Sequence, residues 1–132
     1  MKRFLPLPLL LLLTFGLRAE TPLLPRVIPP IGDKLTDADR TALTATLEAL
    51  TKRFDVLPKK PDNANAEVFL KAVRYAINNK EFYKPEDTTK ARDLLAEADR
   101  RITDLAANRS PWLTATGFVV RGICAAEDGA CC

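Results

Sequence analysis

The sequence predicts a mainly α fold, a three-helix N-terminal module followed by a short C-terminal β-strand or hairpin that is incomplete. Three stretches repeat apolar residues at helical spacing, over about residues 36–57, 66–79 and 85–108. Polar connections, KKPDNAN and KEFYKPED, separate them. At Thr116–Ile123 the pattern changes to the β-branched and aromatic residues that favour a strand. One strand cannot form a sheet, so we expect the β part to be unfinished.

The first helix is predicted to begin at Thr36. Thr36 suits the N-cap position, and Asp39 follows three residues later in a variant of the capping box, where an acidic side chain also complements the helix dipole. Pro58 ends the helix. Five apolar residues recur at intervals of three or four positions and form one stripe: Leu43, Leu47, Leu50, Phe54 and Leu57.

The second helix is predicted from about Ala66 to Asn79 and should be the most buried, because apolar residues occupy more than one of its faces. Two asparagines, Asn78 and Asn79, are predicted to close it, since Asn tolerates the left-handed conformation. In the connection that follows, Phe82 and Tyr83 are expected to fold back on the core.

The third helix is predicted to begin at Pro85, with acidic residues in its first turn, and to continue to about Asn108. Pro111 stops the pattern. The charged side chains between its apolar positions are expected to form a solvated face: Arg92, Asp93, Glu97, Arg100, Arg101 and Asp104.

The N-terminus is typical of an exported protein. Residues 1–19 join a basic start, MKRF, to an apolar run and a small residue before Glu20, the layout of a secretory signal peptide. The short, proline-containing run argues against a stable membrane span, with an uncleaved N-terminal anchor as the alternative. We expect a periplasmic or extracellular protein. Residues 20–35 carry four prolines and predict an extended leader, a spacer or a peptide ligand.

The charge balance excludes one class of partner. Cleavage after residue 19 would remove Lys2, Arg3 and Arg18 from the 20 basic residues and leave 17 against 17 acidic ones. Nucleic-acid binding requires a surplus of clustered Lys and Arg. We therefore expect no nucleic-acid partner.

The inventory of reactive side chains indicates a protein that is not an enzyme. The chain has no histidine, so neither a Ser–His–Asp nor a Cys–His arrangement can be built. The one serine, Ser110, precedes a proline and lies in no G-x-S-x-G motif. The acidic pairs Asp37–Asp39 and Glu86–Asp87 fit helix N-termini better than acid/base chemistry. No catalytic residue, cofactor site or metal site is predicted.

Three cysteines occupy residues 111–132, the predicted start of the β segment with its cysteine-containing tail. Cys124 could close a small loop with Cys131 or Cys132, and the odd number leaves one thiol for pairing between chains. Their spacing matches no usual zinc pattern. The unpaired edge of the predicted strand would favour self-association, and these cysteines could then cross-link two chains.

Several motifs between residues 66 and 129 resemble one family. The stretches AEVFLKAVRYA, EFYKP, PW, TGFVVRG and DG are similar to the N-terminal helical segment of secreted bacterial serine hydrolases of the prolyl oligopeptidase type, which have an α/β-hydrolase catalytic domain. Ile123 and Glu127 depart from the pattern, where an aromatic and an apolar residue are expected. The resemblance implies a front end without its hydrolase domain, truncated by a frameshift or early stop or recorded as a fragment, and carries over no catalytic residue.

Two functions follow as hypotheses. The first is a non-catalytic accessory module, residues 36–110, that packs on a hydrolase domain or shields its entrance. Trp112, Phe118 and Val120 are its candidate interface residues, with local packing against the helices as the alternative. The second is a free-standing helical binding protein of the periplasm. Its ligand groove would be lined by four aromatic residues: Phe69, Tyr75, Phe82 and Tyr83.

Overall fold

Three helices connected by short segments build the structure, a computed structural model that describes residues 32–124. The predicted signal peptide, most of the leader and two of the three cysteines lie outside these residues. The mainly α, three-helix prediction is confirmed: helical residues, 3₁₀ turns included, make up 67% of the described residues. None of the helices in the described part is long and apolar enough to cross a membrane. The helices are α1 (Asp37–Asp55), α2 (Ala64–Asn78) and α3 (Pro85–Ala106).

Helix α1 begins where its capping residue predicts. The Oγ1 of Thr36 accepts a hydrogen bond from the backbone N–H of Asp39 at 3.1 Å, and its hydroxyl donates to the Asp39 carboxylate at 2.8 Å. The cap therefore satisfies one of the free N–H groups of the first turn. Leu43, Leu47 and Leu50 are buried against the other two helices, as the stripe predicts.

Helix α2 lies at the centre of the core and contacts both α1 and α3. Its side chains Ala66, Leu70 and Val73 are almost wholly buried. The left-handed residue that ends this helix is Lys80, with φ 56°, and not Asn79, whose φ is −91°. The two asparagines do close the helix, with Asn79 as its C-cap, but Asn79 still extends the helical hydrogen bonding and the chain reverses one residue later.

Helix α3 is capped by its own first turn. The Asp87 carboxylate accepts hydrogen bonds from the backbone N–H groups of Tyr83 and Lys84, both at 3.0 Å. At the other end Asn108 adopts a left-handed conformation, with φ 54°, which reverses the chain before Pro111. Both ends thus follow from local sequence signals.

A short parallel pairing joins the end of the predicted leader to the helices. Strand β1 (Gly32–Asp33) pairs with β2 (Glu81–Phe82), in the register Gly32 to Glu81. Leu35 and Phe82 are buried in the core, whereas Tyr83 is exposed, so one of the two predicted aromatic anchors serves that role. Residues 32–35 therefore belong to the folded module.

The predicted C-terminal strand at Thr116–Ile123 is not formed. These residues run without regular secondary structure after a 3₁₀ turn at Pro111–Leu113, and the β element is reduced to one bridge residue, Cys124. The reason is that helix side chains, not a neighbouring strand, bond their backbone. Asn65 accepts the N–H of Gly122, and Arg101 donates to the carbonyl of Val120.

The position of Val73 in this core generates a stability prediction. Val73→Asp should lower the free energy of unfolding by about 3–5 kcal/mol, because it buries an unpaired charge at the contact of all three helices. Tyr75→Asp, on the exposed face of the same helix, should lower it by less than about 1 kcal/mol. Urea unfolding followed by circular dichroism measures both; equal losses would mean that the faces of α2 are assigned wrongly.

Candidate functional site

The side chain of Arg101 lies inside the protein and not on the solvated face predicted for it. Only 4% of its surface is exposed. It stands three residues after the buried Ala98 and four before the half-buried Leu105, so it continues the apolar stripe of α3. The solvated-face prediction is wrong for Arg101 because its position on the helix, on the apolar stripe, turns its side chain inward despite its charge.

The guanidinium of Arg101 is held by three oxygen atoms. Its Nε donates to Glu97 Oε1 at 2.7 Å, and its Nη1 donates to the backbone carbonyls of Asn65 and Val120, each at 2.9 Å. A buried charge is tolerated only when it is paired and hydrogen-bonded in this way. One side chain thus connects α3, the start of α2 and the C-terminal segment, by which we mean residues 113–124.

Two aromatic rings complete the surroundings of Arg101. Its Cζ lies 4.5 Å from the centroid of the Phe69 ring and 5.1 Å from that of Trp112. Both distances are those of cation–π contacts, which gain strength when water is excluded. We call Phe69, Glu97, Arg101 and Trp112 the Arg101 cluster.

Trp112 belongs to this cluster and does not project toward a partner. Its side chain is 2% exposed, so of the two predictions made for it the structure agrees with local packing. Its Nε1 is buried and, in the part of the chain that the structure describes, has no hydrogen-bond partner. An unpaired buried donor costs about 1–3 kcal/mol, which the ring's packing against Arg101 has to offset.

Asn65 is a second polar anchor beside the cluster. Its Nδ2 donates to the Asp62 carbonyl at 3.0 Å, and its Oδ1 accepts the N–H of Gly122 at 3.1 Å. Ser110 joins the same network, because its Oγ donates to the Asp62 carboxylate at 3.1 Å. The only serine of the chain therefore has a structural contact that ties the end of α3 to the start of α2.

Gly122 passes so close to α2 that no other residue fits. A Cβ atom at this position would lie 2.0 Å from the carbonyl oxygen of Ala64 and 2.8 Å from the backbone nitrogen of Asn65. Because these are backbone atoms, they cannot move aside as a side chain would. Two residues later Cys124 is disulfide-bonded, and its candidate partners Cys131 and Cys132 lie outside the described residues.

The C-terminal segment carries an exposed apolar surface. Phe118 is 98% exposed and Ile123 75% exposed, while Val120 and Leu113 are exposed to a lesser degree. Two of the three predicted interface residues, Phe118 and Val120, are thus accessible to a partner. Between this segment and α3 lies a groove of about 420 Å³, whose lining includes Arg100, Arg101, Trp112 and Phe118.

The four aromatic residues predicted to line a ligand groove are divided between the core and the surface. Phe69 and Phe82 are buried, and the ring of Phe69 is covered by Arg101. Tyr75 and Tyr83 are exposed. This distribution is the one expected of core packing and not of a shared ligand surface.

The acidic pairs serve the helix ends. Asp39 pairs with Arg92 of α3 as well as with Thr36, and Asp87 caps α3. Between residues 32 and 124 no three potential ligand side chains come together as a metal site would require. Arg101, Asn65 and Gly122 form a linked set that the sequence pattern did not predict, because their contacts join distant parts of the chain.

The buried guanidinium generates a prediction with a neighbouring control. Arg101→Met should lower the free energy of unfolding by about 3 kcal/mol, because it leaves two buried carbonyls and Glu97 without their donor. Arg100→Met removes a half-exposed partner of Glu97 and should cost less than about 1 kcal/mol. Urea unfolding followed by Trp112 fluorescence distinguishes them, and equal losses would contradict the role of Arg101.

The ion pairs of Glu97 generate a prediction about pH. Hydrogen bonds from Arg100, and then from Arg101, hold the pKa of Glu97 below its ordinary value of 4.5. Since the folded-state pKa is the lower one, the stabilisation is present above pH 4.5 and is lost as the pH falls through the folded-state value.

In Glu97→Gln this loss should be absent. Below pH 4.5 the unfolding free energy of the variant should therefore fall less steeply than that of the wild type, and the difference should reach at most about 1 kcal/mol because solvent screens the ion pairs. Asp87→Asn is the control. A hydrogen bond from Lys90, and then bonds from backbone N–H groups, lower the pKa of Asp87. Asp87→Asn should therefore also change the dependence of the unfolding free energy on pH, but it should leave the fluorescence of Trp112 unaltered. Parallel profiles for wild type and Glu97→Gln would contradict the prediction.

Comparison with known proteins gives no assignment of family or fold. No protein-family model matches the chain, and neither a curated protein nor a solved structure matches it. The resemblance to prolyl oligopeptidase-type hydrolases therefore rests on the sequence motifs alone.

Proposed function

We propose that this chain is a non-catalytic accessory module of a secreted hydrolase of the prolyl oligopeptidase type. The helices form the body of the module, and the C-terminal segment docks on the hydrolase domain, in the periplasm or outside the cell. The motifs shared with the N-terminal region of such hydrolases support the choice of partner. The surface of the C-terminal segment supports the mode of docking.

The observation that carries the proposal is the concentration of exposed apolar side chains in one short stretch. Phe118 and Ile123 lie within six residues of each other and are largely exposed. Single exposed apolar residues are normal on a soluble protein, but a cluster of them indicates an interaction surface. In the rest of the described chain, large exposed apolar residues occur singly along the sequence, as Val56 does after the end of α1.

The contacts of the reactive groups favour a non-catalytic role. The Ser110 hydroxyl donates to a carboxylate, and no histidine exists to activate it. The Asp39 carboxylate accepts a hydrogen bond from the Thr36 hydroxyl and pairs with Arg92. The Asp87 carboxylate accepts from the backbone N–H groups of Tyr83 and Lys84 and pairs with Lys90. These contacts stabilise the helices, and they favour a binding role for the module over a catalytic one.

The exposed phenyl ring of Phe118 provides the test. Phe118→Asp should weaken binding to a prolyl oligopeptidase-type catalytic domain of the same organism about 30-fold, the loss of one interface hot spot of about 2 kcal/mol. Val56→Asp is the matched control, because Val56 is 82% exposed but belongs to the end of α1 and not to the C-terminal segment, and it should bind like the wild type. Calorimetric titration measures the dissociation constants.

An unrelated α/β-hydrolase domain serves as the specificity control and should not bind. The proposal is wrong if the wild-type chain binds neither domain, or if Phe118→Asp and Val56→Asp bind equally well.

A further inference from the structure

We infer that Asn65 and Arg101 form a binding site for the main chain of an extended, glycine-containing peptide. Residues 120–122 of the chain itself occupy the site, and it can take the same stretch from a second copy of the chain. The inference concerns contacts within the module and does not depend on the proposed hydrolase partner.

The two anchors, Arg101 and Asn65, form hydrogen bonds with alternate residues of the bound segment. Arg101 Nη1 donates to the carbonyl of Val120 at 2.9 Å, and Asn65 Oδ1 accepts the N–H of Gly122 at 3.1 Å. In an extended chain the groups of residues i and i+2 face the same side, so two anchors can hold it without a neighbouring strand. Recognition by main-chain bonds of this kind is how proteins bind extended peptides.

The site is selective at one position. The space beside Gly122 is closed by the backbone of Ala64 and Asn65, which a Cβ atom would approach to 2.0 Å. Bonds to the main chain do not distinguish side chains, but this closure admits glycine alone. The two adjacent side chains lie outside this closure: Ile123 is exposed, and the exposed Arg121 donates to the backbone carbonyl of Leu113 at 3.1 Å.

The anchors are held in place independently of the segment they bind. The side-chain amide of Asn65 donates to the Asp62 carbonyl, and the backbone carbonyl of Asn65 accepts from Arg101. Arg101 is further held by Glu97 and by the rings of Phe69 and Trp112. A preformed site loses little conformational entropy on binding, so a released segment can be replaced by an identical one from another chain.

The experiment empties the site in the full-length chain and refills it with a peptide. Gly122→Ala should release the segment and change the fluorescence of Trp112, the only tryptophan of the chain. A capped peptide of residues 116–123, which contains no tryptophan, should then restore the signal. It should bind this variant at least ten times more tightly than it binds the wild-type chain, whose site is occupied.

Two altered peptides test the two features of recognition. A peptide with alanine at position 122 should bind at least ten times more weakly, and so should one in which an ester replaces the amide of Gly122, because it has no N–H for Asn65. Ile123→Ala is the matched chain variant; it alters an exposed side chain of the segment and should keep the site occupied. Equal binding of all three peptides, or none by a folded Gly122→Ala chain, would overturn the inference.

If Gly122→Ala does not fold, the wild-type chain provides the same test. Millimolar peptide should displace the chain's own segment and move the amide resonance of Gly122, whereas the alanine peptide should leave it in place. A Gly122 resonance that neither peptide moves, or that both move equally, would overturn the inference.

Discussion

The path of the chain after α3 depends on the contacts of one buried group, the guanidinium of Arg101. Removing such a charge from water costs several kcal/mol, and its ion pair and hydrogen bonds offset that cost. Glu97 supplies the opposite charge, two carbonyls supply acceptors, and two rings exclude water. These residues are therefore constrained together, although they come from distant parts of the sequence.

The remaining charges contribute to the structure in a different way. Arg53 pairs with Asp99, and Arg92 with Asp39, so two ion pairs connect α1 to α3 on the surface. Exposed pairs of this kind contribute at most about 1 kcal/mol each. What attaches α1 to the other helices is its stripe of buried leucines, whereas Arg101 determines where the chain goes after α3.

The helices could be predicted from the sequence to within about two residues at each end, because the signals are local. Thr36 caps α1, Pro85 opens α3, and Asn108 reverses the chain after it. The C-terminal strand could not be predicted. Its residues do favour an extended chain, but Gly122 bonds to a side chain 57 positions earlier, and no local pattern encodes such a partner.

The candidate site was predictable in part, for a related reason. Phe118 and Val120 are apolar residues in a segment with few neighbours, and they are exposed as expected. Trp112 was expected at an interface, but burial beside Arg101 withdraws it from the surface. Trp112 is buried because Arg101 points inward. In the sequence, only the spacing of Arg101 from Ala98 indicated that inward position.

The anchoring of Gly122 has a consequence for the entropy of any association. A free tail would have to be immobilised when it binds, at a cost of about 1–2 kcal/mol for each backbone residue. Here much of that ordering has already taken place on folding, because the backbone near Val120 and Gly122 is bonded to the helices. The apolar side chains around it are therefore displayed at a fixed spacing, and a comparatively small contact area can give a measurable affinity.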